Sequence, residues 1–158
     1  IIISNHNKLK TVAEQFNVEY ARLDDSKEIF KILNAKSIDL IVLARYMQII
    51  PNNIIKAYKN KIINIHHSFL PAFKGANPYG QAANKGVKLI GATAHYATND
   101  LDEGPIISQG AIPVSHTDSE KSMKQLGKEI EKNILYKAVK AHLEYRVIVY
   151  DNKTIVFK

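Results

Sequence analysis

Two side chains that could act on a carbonyl group follow an apolar run at the centre of the sequence. Asn64 offers an amide donor and His66 a titratable imidazole, and the apolar run before them predicts a buried strand. Side chains two residues apart leave an extended strand on the same face, and in open α/β sheets ligands bind beyond the carboxyl ends of strands. These residues therefore predict a catalytic centre. On spacing alone, Asn64 and His66 could equally well be polar side chains that only form hydrogen bonds with the backbone of the loop around Pro71.

A second polar cluster follows the apolar segment from Val87 to Tyr96. His95 lies near the end of this predicted strand, and an acidic turn containing Asp102 comes after it. Because this strand is expected to lie beside the strand of Asn64, we expect Asp102 to reach His66. The alternatives are that the acidic turn is simply exposed to solvent, and that His95 is a partly buried histidine whose hydrogen bonds serve only the fold.

Asn64, His66 and Asp102 together suit direct attack of water or an amine on a carbonyl carbon. The chain has no cysteine and no G-x-S-x-G motif, so these residues carry no covalent nucleophile of those kinds. The Asn64 amide and a protonated His66 would stabilise an oxyanion, each donor contributing about 10²- to 10³-fold in comparable sites. Asp102 would orient the attacking group. A metal site is not expected, because adjacent histidines on extended chain point to opposite faces and H-E-x-x-H is absent.

Strands alternate with segments of helical spacing along the chain, which predicts an α/β fold with a Rossmann-like, doubly wound, mostly parallel sheet. A C-terminal β-hairpin is expected across Asp151-Asn152-Lys153. The Leu70-Pro71 bond is expected to be cis, since it forms a sharp turn after the catalytic strand. The predicted strands span 1–4, 18–23, 38–43, 87–96, 105–114, 146–150 and 154–157, besides the strand ending near His66. Helices are predicted over 8–16, after 24–26, over 51–58 and 78–86, and from a capping box at 117–120 to about 146.

Composition narrows the class of protein. The chain of 158 residues suits one domain, and its net charge of +7 comes from 22 scattered basic residues, which does not indicate nucleic-acid binding. That charge fits a small anionic substrate or simply a lysine-rich surface. Ile1 to Ile3 is too short for a signal peptide or a membrane span, and the lack of cysteine fits the cytoplasm. The chain opens within a core strand without an initiator Met, so we expect a fragment of a longer polypeptide.

Several spaced motifs together resemble the formyltransferase fold that uses 10-formyltetrahydrofolate. They are Asn64-Ile65-His66, Ser68-Phe69-Leu70-Pro71, Gly91-Ala92-Thr93-Ala94-His95 and Asp102-Glu103-Gly104-Pro105-Ile106-Ile107. Further motifs look like the formyltetrahydrofolate deformylases within that superfamily. They are the segments 66–73, 75–79, 43–48 and 152–157, so the resemblance covers essentially the whole chain.

The resemblance implies hydrolysis of 10-formyltetrahydrofolate to formate and tetrahydrofolate, which feeds purine synthesis and balances one-carbon pools. Asn64, His66 and Asp102 match the family's catalytic trio, and His95 would be a supporting residue. No cofactor beyond the folate substrate is implied, and a homo-oligomer is compatible with the resemblance. The folate pocket would use, largely through backbone groups, Met47, Gln48, Ile50, Thr98 and Asp100.

The resemblance also implies that residues 1–158 form one catalytic domain without its first βα unit and without an ACT-type regulatory domain. The missing strand lies in the middle of the family's sheet, so its partners would otherwise expose backbone groups. Two other functions stay open. One is transfer of the formyl group to an amine such as glycinamide ribonucleotide, and the other is a folate-binding module without catalysis.

Overall fold

The computed structural model describes residues 1–72 and 77–158, so residues 73, 75 and 76 of the resembling motifs lie outside the described residues. The strands are β1 (Ile2–Ser4), β2 (Tyr20–Arg22), β3 (Ile41–Leu43), β4 (Ile62–His66), β5 (Leu89–Tyr96), β6 (Ile106–Pro113), β7 (Val147–Tyr150) and β8 (Lys153–Val156). The α-helices are α1 (Lys10–Gln15), α2 (Ser26–Ala35), α3 (Asn52–Ala57), α4 (Pro78–Lys85) and α5 (Glu120–Leu143). A short 3-10 helix spans Asn7–Leu9.

The strands form a four-stranded sheet in the order β3-β4-β5-β6 and two separate pairs, β1-β2 and β7-β8. The α/β class and the terminal hairpin are confirmed. Among the described strands the pairs β1-β2 and β3-β4 are parallel, whereas β4-β5, β5-β6 and β7-β8 are antiparallel. β5 and β6 are joined by the loop 97–105, which contains no helix, whereas a parallel connection needs a crossover of about a dozen residues or more.

Helices cover both faces of the four-stranded sheet, as a doubly wound fold requires. On one face Ile63 and Ile65 pack with Ile130 and Ile134 of α5. On the other face Ile62 packs with a cluster from α2 and α3, which contains Leu33, Ile54 and Tyr58. Alternate residues of β4 therefore face different layers, and the layer of Ile62 is also the layer expected for Asn64 and His66.

Local sequence signals explain several helix ends. Asp25 caps α2 by accepting a hydrogen bond from the Lys27 N–H, and Gly86 ends α4 with a left-handed φ of 61°. The predicted capping box at Thr117 is wrong, because Ser119 is the N-cap of α5 and accepts from the Ser122 N–H. The expected cis bond between Leu70 and Pro71 is confirmed.

Among the described residues, no helix combines the length and the apolarity that a membrane span requires.

Candidate active site

Asn64 and His66 occupy the last part of β4 on the face that meets α2 and α3. The strand is apolar on both sides of them, and Ile62 and Ile63 are completely buried. His66 is itself only 7% exposed. A titratable ring at such a buried position requires a polar partner, because a buried polar group without one carries a large desolvation penalty.

Asp102 is that partner. β5 ends at Tyr96 beside Ile63, near the start of β4, because these strands are antiparallel. The loop 97–105 then folds back along β4, and Asp102 adopts a left-handed φ of 57° within it. The result is a distance of 3.1 Å between Asp102 Oδ2 and His66 Nδ1, with both side chains largely buried. Asp102 therefore reaches His66, as expected. The two groups meet because the loop returns along β4, and not because β4 and β5 are parallel strands with their carboxyl ends at the same edge.

His95 joins this group from the neighbouring strand, where it pairs in register with Asn64. Its Nδ1 lies 3.0 Å from the Tyr96 carbonyl, and since a carbonyl only accepts, Nδ1 carries a hydrogen. In the neutral ring Nε2 then accepts from Asn64 Nδ2, at 3.2 Å. Asp102 Oδ1 lies 3.6 Å from the same Nε2. This arrangement fixes the orientation of the Asn64 amide and uses one of its two hydrogens, so the second can serve a substrate oxygen.

A cleft of about 530 Å³ opens beside these residues, within the size range of small-molecule sites. Asn64, His95 and Asp102 line it, as do the expected binding residues Gln48, Ile50, Thr98 and Asp100. Two expected site residues do not line it. Met47 is 75% exposed, and His66 contacts Asp102 without itself lining the cleft.

Other lining residues were not identified from the sequence as binding residues. They include Leu43 at the end of β3, Tyr46, and Asn52 and Ile55 of α3. The sequence did contain features that could have identified three of these residues. Leu43 ends a strand, where α/β folds place ligands, and Asn52 and Ile55 share a helix face because they are three residues apart. Burial raises the pKa of the Tyr46 hydroxyl, which therefore keeps its proton and can donate a hydrogen bond into the cleft.

Hydrogen bonds from β5 and β6 hold the turn that follows β4. The Thr93 hydroxyl donates to the Ser68 carbonyl at 2.9 Å and accepts from the Leu70 N–H at 3.0 Å. Gln109 Nε2 donates to the Leu70 carbonyl at 3.0 Å. These bonds satisfy the backbone of a buried turn, which explains how the chain leaves the site directly after His66.

His67 does not belong to the same group as His66. Its Nδ1 lies 3.1 Å from Oε2 of Glu131 on α5, at ion-pair distance but without the alignment of a good hydrogen bond. The Tyr79 hydroxyl donates to the other carboxylate oxygen, Glu131 Oε1, at 2.7 Å. Adjacent histidines on extended chain are expected to point to opposite faces. His67 accordingly contacts α5, whereas His66 contacts Asp102, and the two ring centroids lie 6.4 Å apart.

Glu131 is a buried carboxylate that the apolar stripe of α5 did not predict. Burial alone raises the pKa of its carboxyl group, but the contacts of His67 and Tyr79 and the positive charges of His67 and Arg45 outweigh burial and lower it. Burial and the hydrogen bond to Glu131 raise the pKa of the Tyr79 hydroxyl. The cluster therefore contains an ionised Glu131 and a neutral Tyr79 near neutral pH.

We expect Glu131 to make stability depend on acid pH. Because its folded-state pKa lies below the ordinary value of 4.5, its contribution is complete above that value and is lost as the pH falls through the folded pKa. Glu131→Gln should make the acid side of a plot of the free energy of unfolding against pH less steep. The measurement is urea unfolding between pH 3 and 7.

The matched control is Glu129→Gln, which alters an exposed carboxylate of the same helix that pairs with Lys132. Exposed ion pairs contribute little to stability, so this control should leave the acid slope nearly as in wild type. Equal slopes for Glu131→Gln and the wild-type protein would contradict the assignment.

The residues that the structure describes, 1–72 and 77–158, contain no group of three or more His, Cys, Asp or Glu side chains able to hold a metal ion.

Comparison with known proteins gives consistent results. The family described as "Formyl transferase" matches residues 4–139. A formyltetrahydrofolate deformylase of Bacillus subtilis is 51% identical over 99% of this chain, which covers 55% of that relative. A crystal structure of a formyltetrahydrofolate deformylase from Pseudomonas syringae pv. tomato has a TM-score of 0.95 at 48% identity, over 99% of this chain and 55% of that one.

A crystal structure of a phosphoribosylglycinamide formyltransferase from Anaplasma phagocytophilum is also similar. Its TM-score is 0.93 at 32% identity, over 100% of this chain and 82% of that one. The chain thus spans little more than half the length of the deformylases it matches and most of the length of this transferase.

Proposed function

Because the chain belongs to the formyl transferase family, we propose that it is the catalytic part of a formyltetrahydrofolate deformylase. The reaction is the hydrolysis of 10-formyltetrahydrofolate to formate and tetrahydrofolate. The observation that carries this proposal is the contact of 3.1 Å between His66 Nδ1 and Asp102 Oδ2, beside a cleft that Asn64 and Asp102 line. The identity of 51% to a deformylase, against 32% to a transferase, favours water over an amine as the acceptor.

The folate would bind in the cleft with its formyl group at Asn64 and Asp102. Tyr46, Gln48, Ile50 and the loop 97–102 surround the rest of this space, which is mostly apolar with polar groups at its edge. Such a lining suits a flat heterocycle whose polar edge bonds to backbone groups.

Hydrolysis then needs a proton acceptor, an oxyanion site and a proton donor. Water attacks the formyl carbon and gives a proton to the Asp102 and His66 pair, while the carbonyl electrons move to oxygen. The second Asn64 amide hydrogen and the His66 ring stabilise that oxyanion. When the carbonyl re-forms, the bond from carbon to N10 breaks and N10 takes the proton. Tetrahydrofolate and formic acid result, and the acid leaves as formate after giving its remaining proton to solvent. His95 supports the reaction by holding the Asn64 amide.

The deciding experiment measures formate release from 10-formyltetrahydrofolate by the full-length protein, with water as the only acceptor. We expect stoichiometric formate and tetrahydrofolate, with no increase in rate when glycinamide ribonucleotide is added. A control protein with Asp102→Asn should release almost no formate.

Two results would overturn the proposal. Formyl transfer to glycinamide ribonucleotide without release into water would identify an amine transferase, as the likeness to the Anaplasma protein allows. Tight folate binding without any turnover would identify a binding module.

We also propose that a further strand completes the sheet between β1 and β3. Among the described residues β1 pairs only with β2, and β3 pairs only with β4. The side chain of Val42, in the middle of β3, is 42% exposed, which is unusual for a central strand of a doubly wound sheet. Five expectations from the sequence stay predictions. They are a single domain over residues 1–158, loss of an ACT-type domain, a homo-oligomer, cytoplasmic location and the lack of a cofactor.

A further inference from the structure

The loop that carries Asp102 is tied to the C-terminal hairpin of β7 and β8. Asn152 Nδ2 donates a hydrogen bond of 2.9 Å to the carbonyl of Glu103, the residue directly after Asp102. The Thr154 hydroxyl donates to the carbonyl of Ile106, at the start of β6. These side-chain bonds matter because the hairpin is a separate two-stranded sheet, which shares no ladder with the four-stranded sheet.

The Asn152 side chain is not needed by its own turn. The hairpin turn contains Asp151 and Asn152, between the paired residues Tyr150 and Lys153. Asp151 takes the left-handed conformation that such a turn requires, with φ of 51°. Asparagine is common in turns because its amide can bond to the nearby backbone, yet here that amide bonds across the molecule to the Asp102 loop.

The Asp102 loop needs such a restraint. A left-handed φ of 57° is uncommon for a residue with a side chain, so it persists only where the surroundings hold it. On the side of β5 the loop is held closely: Tyr96 N–H bonds to the Pro105 carbonyl, and a Cβ on Gly104 would lie 1.8 Å from the Tyr96 carbonyl oxygen. Asn152 holds the same loop from the side of the hairpin.

We propose that Asn152 is a positioning residue for Asp102. By holding the Glu103 carbonyl it fixes the peptide between Glu103 and Gly104, one residue after Asp102. This restrains the loop at that point and so keeps the Asp102 carboxylate against His66 Nδ1. Asn152 lines a depression beside Thr98 and Asn99 but does not line the cleft of Asn64 and Asp102, so its effect on substrate is indirect. The inference rests on the proposed function, because it assumes that Asp102 acts in hydrolysis.

The test is Asn152→Asp in the full-length protein. Aspartate keeps the shape of asparagine, removes the N–H donor and turns a carboxylate oxygen toward the Glu103 carbonyl. We expect kcat for formate release to fall about two- to tenfold, with folate affinity nearly unchanged. This is the change in rate that corresponds to the free energy of one hydrogen bond between neutral groups. Hydrogen exchange of the backbone amides of residues 102–104 should become faster.

Lys153→Ala is the matched control, because Lys153 directly follows the same turn and its substitution lowers the net charge by the same amount. It should keep both kcat and amide exchange at the wild-type level. The proposal is overturned if Asn152→Asp leaves kcat or the exchange of residues 102–104 unchanged. It is also overturned if the variant weakens folate binding at normal kcat, since Asn152 would then serve the binding loop.

Failure of the proposed function gives a different result. If the wild-type protein releases no formate, hydrolysis is wrong, whereas the tie between Asn152 and the loop is still tested by hydrogen exchange. Unchanged exchange in Asn152→Asp then rejects the tie by itself.

Discussion

Asp102→Asn should lower kcat for formate release by about 10²- to 10⁴-fold, the usual contribution of a positioned general acid or base. Asparagine keeps the shape of the side chain and the left-handed backbone of the loop. It carries no negative charge beside His66 Nδ1, so it can neither accept a proton from water nor stabilise an imidazolium. Folate affinity, measured by fluorescence titration, should change little, because the cleft keeps its lining.

His67→Ala is the control for this first prediction. His67 contacts Glu131 on α5 and does not line the cleft. We expect a smaller loss of kcat than in Asp102→Asn and a loss of stability, because Glu131 loses a partner. A near-normal kcat in Asp102→Asn would defeat the mechanism whatever happened in His67→Ala.

Asn64→Asp should lower kcat by about 10²- to 10³-fold, the cost of removing one oxyanion donor in comparable sites. The change is isosteric but replaces the N–H₂ group that bonds to His95 Nε2. It also places a carboxylate close to Asp102 and to the oxygen that becomes negative in the reaction. The loss should appear in kcat more than in folate affinity, since the donor acts mainly on the transition state. Steady-state kinetics and folate titration measure both quantities.

Asn133→Asp makes the same chemical change at an exposed position of α5 and should leave both quantities unchanged. If Asn64→Asp lost affinity and kept its kcat, Asn64 would be a binding residue and the oxyanion role would be wrong. If the variant unfolded at assay temperature, Asn64→Gln, which retains the amide donor, would still separate loss of the donor from loss of the fold.

The sequence by itself determined the local features of this protein. Residues two apart on a strand share a face, so the pairing of Asn64 with His66 on one side of β4 follows from their spacing. Apolar periodicity predicts the strands and helices, and the Asp151-Asn152 turn predicts the hairpin, because each depends on neighbours within a few residues. The combination of motifs also predicted the family, since few proteins combine them at these spacings.

Only the tertiary structure decided how distant segments meet. Alternating strands and helices suggested a parallel sheet, but pairing direction depends on the path of each connection, and β5 runs antiparallel to β4. Asp102 consequently reaches His66 through a returning loop with a left-handed residue, which no local pattern encodes. Glu131 contacts His67, and Asn152 contacts Glu103, although the residues of each pair are far apart in the sequence. The sequence gives no sign of these contacts, because a polar residue on a helix or in a turn is usually exposed. Such contacts result from the packing of whole elements, so a single sequence predicts the residues of a site better than their partners.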